Sequence, residues 1–276
     1  MPSWAIVGAT RGIGEQVTKV MTYLYTYQND QSSNAQNEVF ALIRSQTTAG
    51  PLNKLAASRK NIHVLETDIG NPAKLKETVG EIGNIGGGKL DVLVYNAYFH
   101  GDSAELSPSG FTGREEELEN HFFGPLKVNA LHLIHTVNVL LPLIKQGTEK
   151  KIVYISSASA DLELTRISEI PVAVGYAVSK AAGSIVTTKY AAELKSEGIR
   201  ALSISPGWVE TDGAKDMVTA PGAFEAILST MRKYDPNING MISPKESVES
   251  MLSVIKGLDE SISGKFLSHK GNLEWF

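Results

Sequence analysis

Short apolar runs recur along the chain at Trp4–Val7, Val39–Ile43, Ile62–Leu65, Leu90–Tyr95, Lys151–Ile155, Arg200–Ile204 and Gly264–Leu267. They are too short for helices and do not alternate cleanly, the pattern of strands buried on both faces. Helical spacing fills the intervals. Ile13, Val17, Val20, Met21 and Leu24 line one face of the first helix, and Val248, Met251, Leu252 and Ile255 one face of the last. Strands alternating with helices predict an α/β fold, a doubly wound, seven-stranded parallel sheet with helices on both faces. The length of 276 residues suits one domain over 1–276. The last helix has a clear start, with Ser243 as cap, Pro244 at the first helical position and Glu246 completing a capping box.

Three stretches break the rhythm. Gln28–Asn37 is polar throughout and reads as an exposed loop between the first helix and the second strand. Gly86-Gly87-Gly88 precedes a strand, so no helix N-terminus follows it to receive an anion, and it reads as a flexible turn. Glu210–Ile242 carries scattered Gly and Pro around one weakly amphipathic helix at 223–232, the look of a mobile cover over a site.

Composition narrows the function. Lys+Arg of 26 against Asp+Glu of 30 gives a net charge of −4 without charge blocks, so no nucleic-acid or anionic-membrane surface is expected and the partner is a small molecule. The chain has no cysteine, which removes disulfides, thiolate nucleophiles and zinc–sulfur sites and fits a cytoplasmic setting. Met1-Pro2-Ser3 lacks a basic region ahead of Trp4, and the most apolar stretch, Leu131–Ile144, is interrupted by His, Asn and Pro142, so neither a signal peptide nor a membrane span is expected. His132 and His135 share a helix face, but no carboxylate or third histidine stands at ligand spacing, and no metal is expected.

The first strand runs into Gly8-Ala-Thr10-Arg11-Gly12-Ile13-Gly14, with the helix starting inside the motif. Small residues there let the backbone approach a pyrophosphate seated on the positive end of the helix dipole. At the end of the second strand a carboxylate would hold ribose hydroxyls, whereas a guanidinium pairs with a 2′-phosphate. Here Arg44-Ser45 stands without an acid, and Arg11 offers a second positive charge, so NADP(H) is preferred over NAD(H). Asp68-Ile69, after the third strand, suits the adenine amino group, and equally suits a helix N-cap ahead of Asn71-Pro72.

Tyr176-Ala-Val-Ser-Lys180 sets a phenol and an ammonium one helical turn apart, downstream of Ser156-Ser157-Ala158-Ser159. Alone, the spacing is weak in a chain with 9 tyrosines. Together with Gly8/Gly12/Gly14, Asn96-Ala97 after the fourth strand, Asn129 and Pro206-Gly207-Trp208-Val209-Glu210-Thr211, it resembles the short-chain dehydrogenase/reductase family over essentially the whole chain, most closely its C-factor or carbonyl-reductase-like subgroup. That resemblance implies a Rossmann-type fold and a catalytic set of Tyr176, Lys180, Ser157 and Asn129. It also implies that Thr211 reaches the nicotinamide carboxamide, that Lys180 holds the nicotinamide ribose, that Asn129 anchors a water in the proton path, and that the protein is a homodimer or homotetramer. Ser156 and Ser159 compete with Ser157, chosen because the family's serine is the second of its pair.

The chemistry follows from the residues. Reducing a carbonyl takes hydride on carbon and a proton on oxygen. Tyr176 can supply the proton, and a neighbouring Lys180 ammonium favours its phenolate; a fall of about 3 pKa units corresponds to roughly 4 kcal/mol. The expected activity is an NADPH-dependent reductase of a fairly hydrophobic ketone or aldehyde, or the reverse oxidation. The alternatives are non-redox chemistry on the same fold (isomerisation, dehydration or cyclisation) and a non-catalytic NADP(H) sensor.

Two departures from the family pattern stand out. Val7 and Tyr95 replace a threonine and an asparagine that brace each other, an exchange of a polar brace for an apolar one. Tyr98 replaces a glycine; with Phe99 and His100 it is expected to shape an aromatic substrate site, to which Ser159 and Trp208 also contribute. The interval from Ser157 to Tyr176 is long for the family, and Asp161–Ile170 within it is the candidate specificity loop, with Leu162 and Leu164 as apolar contacts.

Overall fold

The computed structural model describes residues 2–23, 37–216 and 218–276. The seven apolar runs form seven strands, their ends shifted by two residues at most: β1 (Ser3–Val7), β2 (Glu38–Ile43), β3 (Ile62–Glu66), β4 (Val92–Tyr95), β5 (Lys151–Ile155), β6 (Arg200–Ser205) and β7 (Phe266–Ser268). They make one sheet in the order β3-β2-β1-β4-β5-β6-β7, with every pairing parallel. The strand order reverses between β1 and β4, and a doubly wound sheet opens its binding crevice at the carboxyl ends of such a pair. Val7 and Tyr95 stand side by side there.

Helices α1 (Gly12–Tyr23), α2 (Gly50–Ala57) and α10 (Pro244–Lys256) cover one face of the sheet. Helix α3 (Pro72–Ile85), α5 (His132–Gln146) and α7 (Val174–Glu193) cover the other. Val17 and Val20 of the first helix and Val248, Met251, Leu252 and Ile255 of the last pack into the first core, as their spacing predicted. Burying each such side chain contributes about 1.5–3 kcal/mol. Ser243 caps α10 by accepting a bond from the Glu246 amide at 3.1 Å. Gly86 closes α3, and Gly87 and Gly88 follow with φ of 65° and 80°, the turn expected of the triplet. Leu24 and positions 28–36 of the polar run lie outside the described residues. Asn37, its last member, is buried, and its carbonyl accepts a bond from Asn61.

Pro142 interrupts the apolar stretch without ending the helix. Helix α4 (Glu115–Leu126), a π-helical turn at Lys127–Leu131 and α5 run on as one helix of 32 residues, with Pro125 and Pro142 inside it. An interior proline costs about 3 kcal/mol. Leu133, Val137, Leu140 and Ile144, all at 0% exposure, offset that cost against the sheet. By length and composition this helix could cross a membrane, but its apolar face is the one that packs the second core. The π turn places Asn129; such turns interrupt helices at functional sites.

The brace at Val7 and Tyr95 is also more than apolar. Both side chains are buried in the second core, yet the Tyr95 hydroxyl donates to the Val128 carbonyl at 2.7 Å. The end of β4 is thereby tied to the π turn.

Candidate active site

The glycine turn is shaped by backbone contact. Gly8 and Gly12 have φ of +80° and +59°, and the Gly8 and Ala9 amides donate to the Leu42 carbonyl at 3.0 and 3.2 Å. A Cβ on Gly14 would lie 2.2 Å from the Gly8 carbonyl oxygen and 2.6 Å from the Asn96 side chain; one on Gly8 would lie 2.7 Å from the Ala97 backbone. Asn96 donates to the Gly8 carbonyl at 2.9 Å, locking the end of β4 to the turn. Thr10 and Arg11 lead into α1, whose first amides open at Gly12, while Ile13 packs against the first core. A Cβ on Gly12 would meet only Thr211, at 3.5 Å. The cradle therefore has walls where the backbone must close and room where a diphosphate would sit, and it fits a dinucleotide.

Arg44 stands exposed directly after β2 and Arg11 is exposed in the turn; neither has an ion-pair partner among the described residues. Ser45 caps the short turn at Gln46–Thr48. Asp68 proves not to be the helix cap, because Asn71 takes that position, accepting from the Ala73 and Lys74 amides at 3.1 and 3.2 Å. Asp68 instead accepts from the Gly70 amide at 2.9 Å and stays exposed, while Ile69 and Ala97 pack against the second core.

The four residues singled out for catalysis converge. The Ser157 side chain lies near enough to the Tyr176 phenol to act on its pKa. Ser156 points elsewhere, pairing with the Ser184 hydroxyl at 2.8 Å, and Ser159 meets Ser157 through hydroxyl and amide contacts of 3.2 Å. Lys180 is 2% exposed and donates from Nζ to the Ile155 carbonyl at 2.7 Å, with Nζ 5.7 Å from the centre of the Tyr176 ring. Asn129 has both amide protons committed, one to the Phe99 carbonyl at 2.9 Å and one to the Ser179 hydroxyl at 2.8 Å, and Ser179 in turn donates to the Tyr176 carbonyl at 2.7 Å. Its Oδ1 accepts from the Phe99 amide at 2.8 Å. The Asn129 amide is thus a tie between the 98–100 segment and α7.

The electrostatics differ from the expectation of a phenol lowered by its neighbour. Burial raises the Tyr176 pKa well above the ordinary tyrosine range, opposed by the neighbouring Ser157 hydroxyl. Burial also brings Lys180 down to about 7. Desolvation is the largest cause at both groups, and it lowers the amine whose charge the one-turn spacing was expected to supply. Tyr176 is held as an acid, and Lys180 is poised to take and give a proton near neutrality.

Aromatic rings crowd the phenol. Tyr98, half exposed, meets the Tyr176 ring edge-on at 6.4 Å, and its hydroxyl lies 3.6 Å from where a Cβ on Gly213 would be. Gly213 belongs to α8 (Asp212–Asp216), just after Thr211. Residues 211–213 therefore lie between the glycine turn, where a Cβ on Gly12 would face Thr211, and the Tyr98 ring that meets Tyr176. His100 packs on Tyr176 with the rings tilted and their centres 4.5 Å apart, and burial, then His121 and Lys180, lower its pKa. Phe99, expected on the substrate side, turns its ring onto Gly124 of α4.

Across the cleft, Gly207 has φ of +85°, and Pro206 is anchored by a 2.6 Å bond from Ser247 to its carbonyl. Val209 bridges to Ile242, so residues 210–242 are clasped at their two ends. Trp208 stacks on Phe224 of α9 (Ala223–Arg232) at 5.4 Å.

The candidate specificity segment at 161–170 is largely helical. It contains helix α6 (Leu162–Ser168), capped by Asp161. Leu164 is 5% exposed and packs with Ala158 and Trp275, while Leu162 is 87% exposed. Leu164 therefore holds α6 against the chain's C-terminal tail. An ion pair from Glu169 to Lys233 ties the end of α6 to the end of α9.

Sequence reading left one residue out entirely. His121 of α4, 1% exposed, contacts the Asp102 carbonyl at 2.6 Å and accepts from the Gly175 amide at 3.1 Å, one residue before Tyr176. No local motif marks it, since its partners lie 19 and 54 residues away. His132 and His135 stack at 6.0 Å, and no group of three or more potential metal ligands occurs among the described residues.

The short-chain dehydrogenase family model matches residues 4–221. The chain is 44% identical over 276 residues to the short-chain dehydrogenase/reductase atnB of Arthrinium sp, covering 100% of both chains. It is 35% identical over 284 residues to the short chain dehydrogenase virK of Hypocrea virens, again covering 100% of both. Among solved structures, an NADPH-bound carbonyl reductase from chicken fatty liver superposes with a TM-score of 0.76 at 22% identity, covering 100% of this chain and 99% of that one. The carbonyl reductase Sniffer of D. melanogaster gives a TM-score of 0.76 at 23% identity, covering 99% and 98%.

Proposed function

Because the chain belongs to the short-chain dehydrogenase family and is thus an oxidoreductase acting on small molecules, we propose that it is an NADPH-dependent reductase of a fairly hydrophobic, aromatic ketone or aldehyde. The observation that carries this reading is the buried Tyr176 phenol, with Ser157 close to it, the buried Lys180 amine behind it, and Tyr98 and His100 walling it.

NADPH, when bound, supplies the hydride that goes to the carbonyl carbon. Gly8, Gly12 and Gly14, with the first amides of α1, would hold its diphosphate, and Thr10, Ile13, Asn96, Ala97, Pro206, Gly207, Val209 and Thr211 would bind the rest of it. Exposed Arg44 and Arg11 favour the 2′-phosphate, and the absence of a carboxylate after β2 removes the group that would favour a free ribose.

Ser157 orients the substrate oxygen. Tyr176 gives its proton to that oxygen as the hydride arrives, leaving an alcohol and a phenolate. Lys180, at about 7, returns a proton to the phenolate at neutral pH. Desolvation that raises the phenol makes it reluctant to ionise before substrate is present, so proton release is coupled to oxyanion formation. Reversed, the same steps oxidise the alcohol.

Phe123, Leu131, Val178 and Ile185, exposed at 59%, 46%, 38% and 62% on the adjoining α4–α5 and α7 helices, support assembly into a homodimer or homotetramer.

NADPH oxidation against a panel of aromatic and aliphatic ketones, wild type beside Tyr176→Phe, tests the reading. Turnover of aromatic ketones should fall about 10²–10⁴-fold in the variant with NADPH binding kept, the scale of a lost general acid. Turnover undiminished by Tyr176→Phe overturns the mechanism. NADPH binding without turnover of any ketone favours non-redox chemistry or a sensing role.

A further inference from the structure

Helix α7 carries both Tyr176 and Lys180, yet its N-terminus has no side-chain cap of its own. Its N-cap residue, Ala173, is a non-glycine in the left-handed region with φ of 57°. The first amides of a helix lack partners within it and need acceptors from elsewhere. Two are supplied by distant segments: the Ala173 amide donates to the Ala104 carbonyl at 2.8 Å, and the Gly175 amide donates to His121 Nε2 at 3.1 Å.

The partners of His121 fix its form. The Asp102 carbonyl, 2.6 Å from Nδ1, can only accept, so Nδ1 carries the proton; the Gly175 amide can only donate, so Nε2 is bare. The ring is held in place by Phe111, with centres 5.0 Å apart. Gly175 has no room for a side chain, since a Cβ there would lie 2.1 Å from the His121 carbonyl oxygen. Helices α4 and α7 thus meet backbone to backbone beside the phenol. On its other side, the same imidazole anchors Asp102, in the segment whose Tyr98 and His100 rings pack on Tyr176.

We propose that His121 is a positioning residue for Tyr176: one neutral imidazole caps the helix that presents the phenol and pins the loop that walls it. This rests on the reading of Tyr176 as the proton donor. His121 touches no reacting atom and acts through the Gly175 amide and the 98–102 segment. A misplacement of about 1 Å at a reacting group can cost about 10²-fold in rate.

Two substitutions separate the functions of the ring. His121→Asn places an amide at the level of Nδ1, so it can serve Asp102 but not reach Gly175. His121→Gln places an amide oxygen at the level of Nε2 and restores the cap. For the folded proteins, His121→Asn should lower kcat by about 30–100-fold, with the NADPH Kd within about twofold and amide exchange faster at residues 174–177. His121→Gln should recover kcat to within about fivefold of wild type. A folded His121→Asn with kcat within about twofold of wild type, or a His121→Gln as impaired as His121→Asn, overturns the proposal.

Two measurements on the wild-type protein stand even if a variant fails to fold. The Gly175 amide must be protected from exchange, and ¹H–¹⁵N spectra of the imidazole must show the Nδ1-protonated form; a fast-exchanging amide or the other tautomer overturns it. Tyr176→Phe run in parallel keeps the two ideas apart, because undiminished turnover there defeats the catalytic reading, while exchange and tautomer still decide the cap.

Discussion

At the glycine turn the excluded object is a methyl group: a Cβ on Gly14 would strike the Gly8 carbonyl at 2.2 Å, and one on Gly8 would strike Ala97 at 2.7 Å. Around Tyr176 the determinants are side chains drawn from far apart, with Tyr98 and His100 on one side, Asn129 acting through Ser179, Ser157 at the hydroxyl, and His121 beneath the helix start. The first region fails when anything is added. The second fails when something is removed, and it fails by degrees, because each contact fixes a position and none alone creates it. A turn made of backbone tolerates change in its surroundings, whereas a phenol held by long-range contacts is open to tuning.

The largest effect expected of this contrast is at the turn. Gly14→Ala should abolish NADPH binding in calorimetry and cost on the order of 4 kcal/mol in denaturant unfolding, because backbone must move. Wild-type binding in that variant would show that the cradle yields. On the catalytic side, Trp275→Ala empties a site that is 1% exposed and supports Leu164 and Ala158, next to Ser157. It should cost about 3–5 kcal/mol and raise KM for bulky ketones, leaving the NADPH Kd unchanged. A matching loss of NADPH affinity would mean that the two regions are not separable.

Lys180 sharpens the comparison through pH. Its folded pKa, about 7, lies below the unfolded value near 10.5, so between those values the unfolded chain binds more protons and stability rises with pH. The buried ammonium is a burden below pH 7 that is relieved as pH climbs toward 10. Lys180→Met should therefore be more stable than wild type at pH 6, by on the order of a few kcal/mol, with the advantage shrinking by pH 9. Turnover should be lost throughout. A stability difference that is flat with pH would place the lysine's charge in contact with water.

The smallest effect belongs to Arg44, an exposed charge whose work depends on the ligand. Arg44→Ala should weaken NADPH by about 1.5–3 kcal/mol, roughly 10–100-fold in Kd, and leave NADH binding unchanged. Equal losses for both cofactors would remove the 2′-phosphate from the account.

The chain's own pattern determined the seven strands, their alternation with helices, the glycine turn, and the phenol and amine one turn apart, because each is set by neighbours close in sequence. Tertiary structure decided the rest. Pro142 interrupts the apolar stretch in the sequence, and a buried α5 face carries the helix through it. Leu164 reads as a substrate contact and is core to the C-terminal tail, while Phe99 and His100, adjacent in sequence, face opposite ways because Asn129 clamps the backbone between them. Tyr176 is raised where the Lys180 spacing alone suggests lowering, since burial, which no spacing encodes, raises the phenol and lowers the amine alike. His121 shows the same limit most plainly: an ordinary histidine in an acidic helix by sequence, it becomes the cap of the catalytic helix only when α4 and α7 come within backbone contact.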